Sequence, residues 1–331
     1  MSALTFTPSG IYCAAGDFYI DPWRPVDRAL ITHGHADHAR PGMGSYLATD
    51  LAAPVMRHRL GDIALDTVRY GETRVIGGAT VSFHPAGHVP GSAQIRVEVA
   101  GEVWVASGDY KVVDDGLSTS FEPVKCHSFI TESTFGLPVF RWQPQDVVAA
   151  ELNRWWAACA AVGKTAFLGC YALGKAQRLL TLLDPEQGPI LTHAAIENTN
   201  AVLRAQGLSL PDTIRADADL VPKDHPGAIV LCPPSAIGSA WARKFGPQDT
   251  GFASGWMALR GIRRRRAGDR GFVISDHADW TGLLDAINAT SAENIYVTHG
   301  YTDIFSRYLN ENGWNAQVVP TEFGGEEEDA A

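Results

Sequence analysis

No stretch of this sequence approaches the ~20 consecutive apolar residues needed to cross a bilayer, so no membrane span is expected. The opening MSALTFTPSG lacks a basic segment followed by an apolar one, which argues against a secretory signal. Five cysteines (Cys13, Cys126, Cys159, Cys170 and Cys232) are scattered and form no Cys-x-x-Cys pair. That pattern argues against a disulfide framework or a thiolate zinc site and for small core residues in a reducing compartment. The expected location is the cytoplasm. Internal repeats and low-complexity linkers are also missing, except at the acidic end GGEEEDAA. There Glu326, Glu327, Glu328 and Asp329 make residues 324–331 read as a disordered tail.

What is present suits a globular protein of two domains. The 331 residues are 45% hydrophobic and 19% charged, enough to bury a substantial core. A net charge of −10 is awkward for a nucleic-acid binder, because phosphate affinity comes from neutralising cations. Distribution softens the objection. Part of the acid sits in the tail, while Arg260, Arg263, Arg264, Arg265, Arg266 and Arg270 crowd one short stretch, and local field steers ligands more than total charge. Composition permits a nucleic-acid substrate without requiring one.

Short strands dominate the first part: RALIT (28–32), ATVSF (79–83), AQIRVEV (93–99) and EVWVAS (102–107), separated by Gly, Pro and Asp. One helix is expected near 54–66. Pro144 then opens an amphipathic helix to about residue 161. Beyond it TAFLGC, GKAQRLLTLL, PILT, AIENTNAVLRAQ, AIVLCPP and SAIGSAWARKF alternate strand with helix, as in a small parallel α/β unit. Strand (GFVIS, 271–275), helix (281–289) and strand (NIYVTH, 294–299) follow. A β-rich unit is therefore expected to be interrupted by an α/β insert and then completed.

Four of the six residues from His33 to His38 can ligate a metal, and they follow directly on the strand ALIT. A strand ending in a tight loop can aim His33, His35, Asp37 and His38 at one point, with Gly34 and Ala36 leaving room. Nitrogen and oxygen donors without thiolate suit zinc, and also manganese or iron. Three more polar residues stand just after strands: His88 in PAGHVPGSA, Asp109 in ASGDYK and His299 in YVTHGY. A carboxylate such as Asp109 can bridge two cations. Singly, each of these is more often a structural histidine or a turn; together they point to a two-metal site.

The succession THGHADH, AGHVPGS, SGDYK and THG resembles the ordered motifs of the metallo-β-lactamase superfamily, over residues 11–136 and 271–303. The resemblance implies that His33, His35 and His88 hold one divalent metal, Asp37, His38 and His299 the other, and that Asp109 bridges them. Asp21, at the end of FYID, matches an aspartate that supports the site, with Asp17 a competing candidate. The implied fold is an αββα sandwich of residues 1–136 and 271–323 with a small α/β insert at 137–270. Glu132 in ITESTFG and His277 in VISDHADW resemble the extra motifs of the β-CASP nucleases, which carry such an insert.

Phosphodiester hydrolysis needs charge stabilisation at the phosphoryl oxygens and a proton for the leaving oxygen. His277 can donate that proton and Glu132 can orient it; Asp37 joins them among the catalytic candidates. FYIDPWRPVDRALITHGHADHARPG, LGCYALGKAQRLL, ASGWMALRG and ISDHADW further resemble bacterial ligase-associated DNA exonucleases. That resemblance implies single-strand DNA exonuclease action, from 5′ ends, in repair beside an ATP-dependent DNA ligase and a helicase. An RNA nuclease of the same group, a thioester hydrolase and a metal-free scaffold stay open. Lys111, Lys175 at the helix start GKAQ, Ser133, Thr134 and Arg40 are candidate phosphate contacts; an ordinary helix start explains GKAQ equally well. Trp142, Trp155, Trp156, Trp241 and Trp256 could stack bases, but core packing is the better reading for most.

Overall fold

A computed structural model describes residues 2–266, 268–319 and 321–322. Two compact units emerge among the described residues: those up to Phe140 together with those from His277 to Glu322, and those of Arg141–Asp276. The expected acidic tail, 324–331, lies outside the described residues.

The first unit begins with strands β1 (Thr5–Thr7), β2 (Gly10–Cys13), β3 (Phe18–Ile20), β4 (Arg28–Leu30) and β5 (Ser45–Thr49), helix α1 (Ala53–Leu60), and β6 (Leu65–Val68). These strands form a six-stranded sheet in sequence order. Strands β7 (Thr73–Ile76), β8 (Ala79–Pro85), β9 (Ala93–Val99), β10 (Glu102–Ala106) and β11 (Ser128–Ser133) start a second sheet. After the second unit the chain returns as α7 (Trp280–Thr290), β18 (Asn294–Gly300), α8 (Thr302–Glu311) and β19 (Asn315–Val318), completing the seven-stranded order β19-β18-β11-β10-β9-β8-β7. Alternation decides the layering. Ile11, Phe18, Ile20 and Leu30 of the first sheet meet Val81, Phe83, Ile95, Val97 and Ile130 of the second in one core. Met56 of α1 packs with Tyr46 and Ala48 in another, and Leu283, Ile287, Phe305 and Leu309 of α7 and α8 pack with Val105, Phe129 and Val297 in a third.

The second unit holds α2 (Gln145–Ala161), β12 (Thr165–Gly169), α3 (Lys175–Leu182), β13 (Ile190–Thr192), α4 (Ala194–Ala205), β14 (Ile214–Arg215), β15 (Ile229–Cys232), α5 (Ala240–Arg243), β16 (Gln248–Ala253), α6 (Arg260–Arg266) and β17 (Arg270–Phe272). Every strand pairing here is parallel, in the order β14-β13-β15-β12-β16-β17. A parallel sheet must be covered on both faces. Ala166 and Leu168 of β12 join Leu152, Trp155 and Trp156 of α2, while Phe167 between them faces Phe245 and Val230.

The mixed α/β class agrees with the sequence reading, and several details differ. The helix expected over 54–66 stops at Leu60, because Gly61 adopts φ 77° and β6 starts at Leu65. SAIGSAWARKF yields only the four-residue α5, since Pro233 and Pro234 open it and Gly238 at φ 74° interrupts it. The strand expected at 271–275 is Arg270–Phe272, and it pairs with β16 inside the second unit. The units therefore divide after Phe140 and Asp276, rather than at 136/137 and 270/271.

Candidate metal centre

The loop after β4 carries Thr32 and His33 beyond the last paired residue, held by the Ile31 N–H on Leu47 O. Asp21 follows β3 at φ 42°, a left-handed conformation that an aspartate can adopt. Its Oδ1 accepts the Thr32 N–H at 2.8 Å, and its Oδ2 accepts Thr32 Oγ1 and meets His38 Nδ1 at 2.7 Å. With Nδ1 so occupied, His38 turns Nε2 to the opposite side, 3.3 Å from Asp109 Oδ2 and 3.5 Å from Asp37 Oδ2. A carboxylate behind a histidine is the usual device for fixing a metal ligand's tautomer. Arg59 of α1 donates to Gly34 O at 2.6 Å and braces the loop.

His88 and Asp109 arrive from the second sheet, each behind a glycine. Gly87 has φ 74° and a Cβ there would lie 2.3 Å from Lys111 O; Gly108 has φ 56° and a Cβ would lie 2.6 Å from Thr32 Oγ1. Only glycine permits both the turn and the approach. Ser92 Oγ accepts the N–H groups of His88 and Val89, closing that loop. His299, the last residue but one of β18, adopts φ 61°, where the pairing with β11 shifts register between Thr131 and Ser133. Such a bulge re-aims a side chain, and here His299 Nδ1 comes to 3.6 Å from Asp109 Oδ1.

The donors converge in overlapping groups. His33, His35, His88 and Asp109 form one, His38, Asp109 and His299 a second, and Asp109, Glu132 and His277 a third, with ligand atoms in each within 4.8 Å of one another. His35 Nδ1 lies 3.1 Å from His33 Nε2 and 3.2 Å from His88 Nε2. Donors about 2.0–2.1 Å from a tetrahedral zinc stand about 3.3–3.4 Å apart, so this spacing fits an ion at their centre. Asp109 Oδ1 is buried with no hydrogen-bond donor, a costly state for a carboxylate that a cation would relieve. Asp37, half-buried, stands beside His38 but outside those three groups.

Electrostatics point the same way. Burial, then the neighbouring imidazoles of His38, His88 and His35, holds His33 well below the ordinary histidine range, hence neutral and able to donate a lone pair. Against the effect of burial, the carboxylates of Asp37, Asp109 and Asp21 raise His38 well above it. Burial would likewise raise Asp109, but His38, His299 and His277 hold it well below the usual carboxylate range. The cluster thus favours positive charge at its centre, which a proton on His38 or a metal ion can supply.

Glu132 and His277, both buried, form a pair: Nδ1 lies 2.8 Å from Oε2 and 3.0 Å from Oε1, while Oε1 also accepts the Tyr110 N–H at 2.9 Å. The ring packs against His88 and Phe135, at centroid distances of 4.6 and 5.8 Å.

All of the phosphate candidates but Thr134, whose buried Oγ1 has no hydrogen-bond partner among the described residues, are otherwise engaged. Lys111 is buried with Nζ 2.7 Å from Val113 O. Ser133 donates to the carbonyls of Thr298 and His299 and so secures the bulge rather than a ligand. Thr134 is buried as well. Arg40 donates to the carbonyls of Asp37, Trp23 and Glu322. Lys175, in the second unit, is buried 3.7 Å from Asp276 Oδ2 and over the Tyr171 ring. Sequence reasoning missed Thr32, Ser92 and Arg59; the Thr directly before His in THGH was the one readable signal.

Fold and cluster together define a mixed α/β protein with a candidate two-cation centre at its strand ends. Among similar proteins, that named Probable DNA ligase from Opitutus terrae is 29% identical over 314 residues, 94% of this chain and 30% of its own. Endoribonuclease ysh-1 from Neurospora crassa is 32% identical over 133 residues, 38% of this chain and 15% of its own. Cleavage and polyadenylation specificity factor 73 from Drosophila melanogaster is 24% identical over 184 residues, 52% and 26%. The chain thus spans less than a third of the length of each of these relatives. They support the metallo-β-lactamase and β-CASP resemblance read from the motifs. A crystal structure of a protein of unknown function from Enterococcus faecalis shares the fold, with TM-score 0.58, 11% identity and coverage of 90% of this chain and 80% of that one. No family model matches the sequence.

Proposed function

We propose that the chain is a metal-dependent nuclease, an αββα metallo-β-lactamase unit with a β-CASP insert, that hydrolyses single-stranded DNA from its ends. The observation that carries the reading is the meeting of a buried carboxylate–imidazole pair with a cluster of metal-donor groups: Glu132–His277 stands beside Asp109, on which the other two donor groups also converge. His33, His35 and His88 would hold one divalent cation, and Asp37, His38 and His299 the other, with Asp109 shared. When bound, two such cations supply Lewis-acid stabilisation of phosphoryl charge and acidify water. His277, fixed through Nδ1 by Glu132, presents Nε2 to protonate the leaving oxygen. Asp21 sets the His38 tautomer, and Glu132 tethers the His277 segment to the Tyr110 backbone. Zinc suits the donor set, with manganese or iron as alternatives.

DNA as the substrate, 5′ polarity and work beside a ligase and helicase rest on the motif resemblance, to which the ligase-named relative adds support. The endoribonucleases among the relatives favour a second reading, an RNA nuclease of the same group. Matched DNA and RNA strands, labelled at either end, separate the two when digested with zinc, manganese or no metal. Release of the 5′ label from DNA at the first cleavage, with stepwise shortening of the 3′-labelled strand, is expected. Cleavage of RNA alone would move the assignment to the second reading, and no cleavage of either would sink both.

A further inference from the structure

The helix α6 (Arg260–Arg266), sequence RGIRRRR, has no acidic residue in its first turn. Arg260, Arg263 and Arg264 are exposed, and among the described residues none of the three makes an ion pair or a side-chain hydrogen bond. Positions i, i+3 and i+4 share one helix face, so the Arg260 guanidinium is repelled by those of Arg263 and Arg264. Elsewhere in this unit Arg215 pairs with Asp217, Arg243 donates to Gly238 O and Lys244 to Asp217 O, while the exposed Arg154 and Lys223 each stand singly rather than in a run. The one acidic residue between the arginine run and β17, Asp269, is engaged by the N–H and hydroxyl of Thr250. In a chain of net charge −10, α6 thus gathers three arginines on one face with no ion pair among the described residues.

We propose that this face of α6 is a docking track for the sugar–phosphate backbone of the nucleic-acid strand, a claim resting on the nuclease reading. Chemistry selects the partner. All three groups are arginines, whose planar forks match phosphate oxygens two at a time. Arg260 and Arg264 are separated by about 6 Å along the helix axis, and two nucleotide steps of a strand rise about 7 Å. No aromatic side chain lies within α6, so the track reads phosphates and not bases. Binding there is independent of sequence and steeply dependent on salt.

The test is binding of a fluorescent mixed-sequence single strand in EDTA, over a range of salt concentrations, to the intact chain. R260A/R263A/R264A is compared with R215A/R243A/K244A, which removes equal charge from groups already compensated, and melting curves confirm that both fold. Loss of about three phosphate contacts lowers the slope of log K against log salt by about 2 in the first triple variant only. Equal slopes in wild type and R260A/R263A/R264A would overturn the proposal. Loss of polyglutamate binding with strand binding intact would also overturn it, in favour of an acidic protein partner. If wild type binds the strand through α6 yet cleaves nothing with any metal, the nuclease reading fails and the track stands.

Discussion

Asp21 commits both carboxylate oxygens inside the fold, to Thr32 and to His38, without joining the converging donors itself. Asn in its place keeps the shape and removes the charge that fixes His38. Disturbing such a supporting partner costs about 10–100-fold in metal affinity, so Asp21→Asn should weaken zinc binding by that factor in a chelator competition. Unchanged affinity would remove Asp21 from the site. His277→Asn tests the proton donor separately: cleavage should drop about 10²–10⁴-fold while metal content by elemental analysis holds. Loss of metal together with activity would recast His277 as a ligand. The run of candidate donors stood out in the sequence because chemistry there depends on residue type. The phosphate contacts were not: Lys111, Ser133 and Arg40 carry suitable donors, and only the fold reveals that backbone carbonyls accept them.

At the scale of elements, the sequence located β9 at its exact bounds, as a β-rich run closed by Ala100-Gly101, and α2 within a residue, because its buried Val148, Leu152, Trp155, Trp156 and Cys159 recur at helical spacing. It overran α1, where a positive-φ glycine, not a change of hydrophobicity, stops the helix. Cross-links between elements leave no such trace. Glu197 on α4 accepts from Thr192 at 2.6 Å, Thr213 at 2.7 Å, Asn200 at 3.1 Å and Arg204 at 2.8 Å, joining β13 to the loop before β14. Burial would raise its carboxyl, but these four bonds hold it below 4.5. A depressed carboxyl contributes stability that is present above its unfolded value and is lost as pH falls through the folded one. Glu197→Gln should therefore cost about 1.5–3 kcal/mol near neutral pH. The gap to wild type in urea unfolding should narrow on acidification. A gap constant down to pH 3 would show that shape, not charge, holds the junction.

For the whole molecule, the two units give opposite expectations for metal removal. All proposed ligands belong to the first, at the ends of β4, β8, β10 and β18 and in the loops beyond them. A ligand present at 100 times its Kd stabilises the fold that binds it by about 2.7 kcal/mol. Chelation should thus raise amide exchange at residues 31–38, 86–93 and 107–110 and leave β12 and β15 protected. Equal loss in β12 and β15 would mean that the cations stabilise more than the unit that holds them. No membrane-length apolar helix occurs among the described residues.

Chain order gives the donor cluster a history. His33 to His38 are made before the second unit, whereas His277 and His299 follow the whole of it. At about 5–20 residues per second, the 190 residues from Asp109 to His299 take roughly 10–38 s. During that interval a nascent protein carries the first donor group complete and the second lacking His299, so a cation acquired then enters through His33, His35, His88 and Asp109.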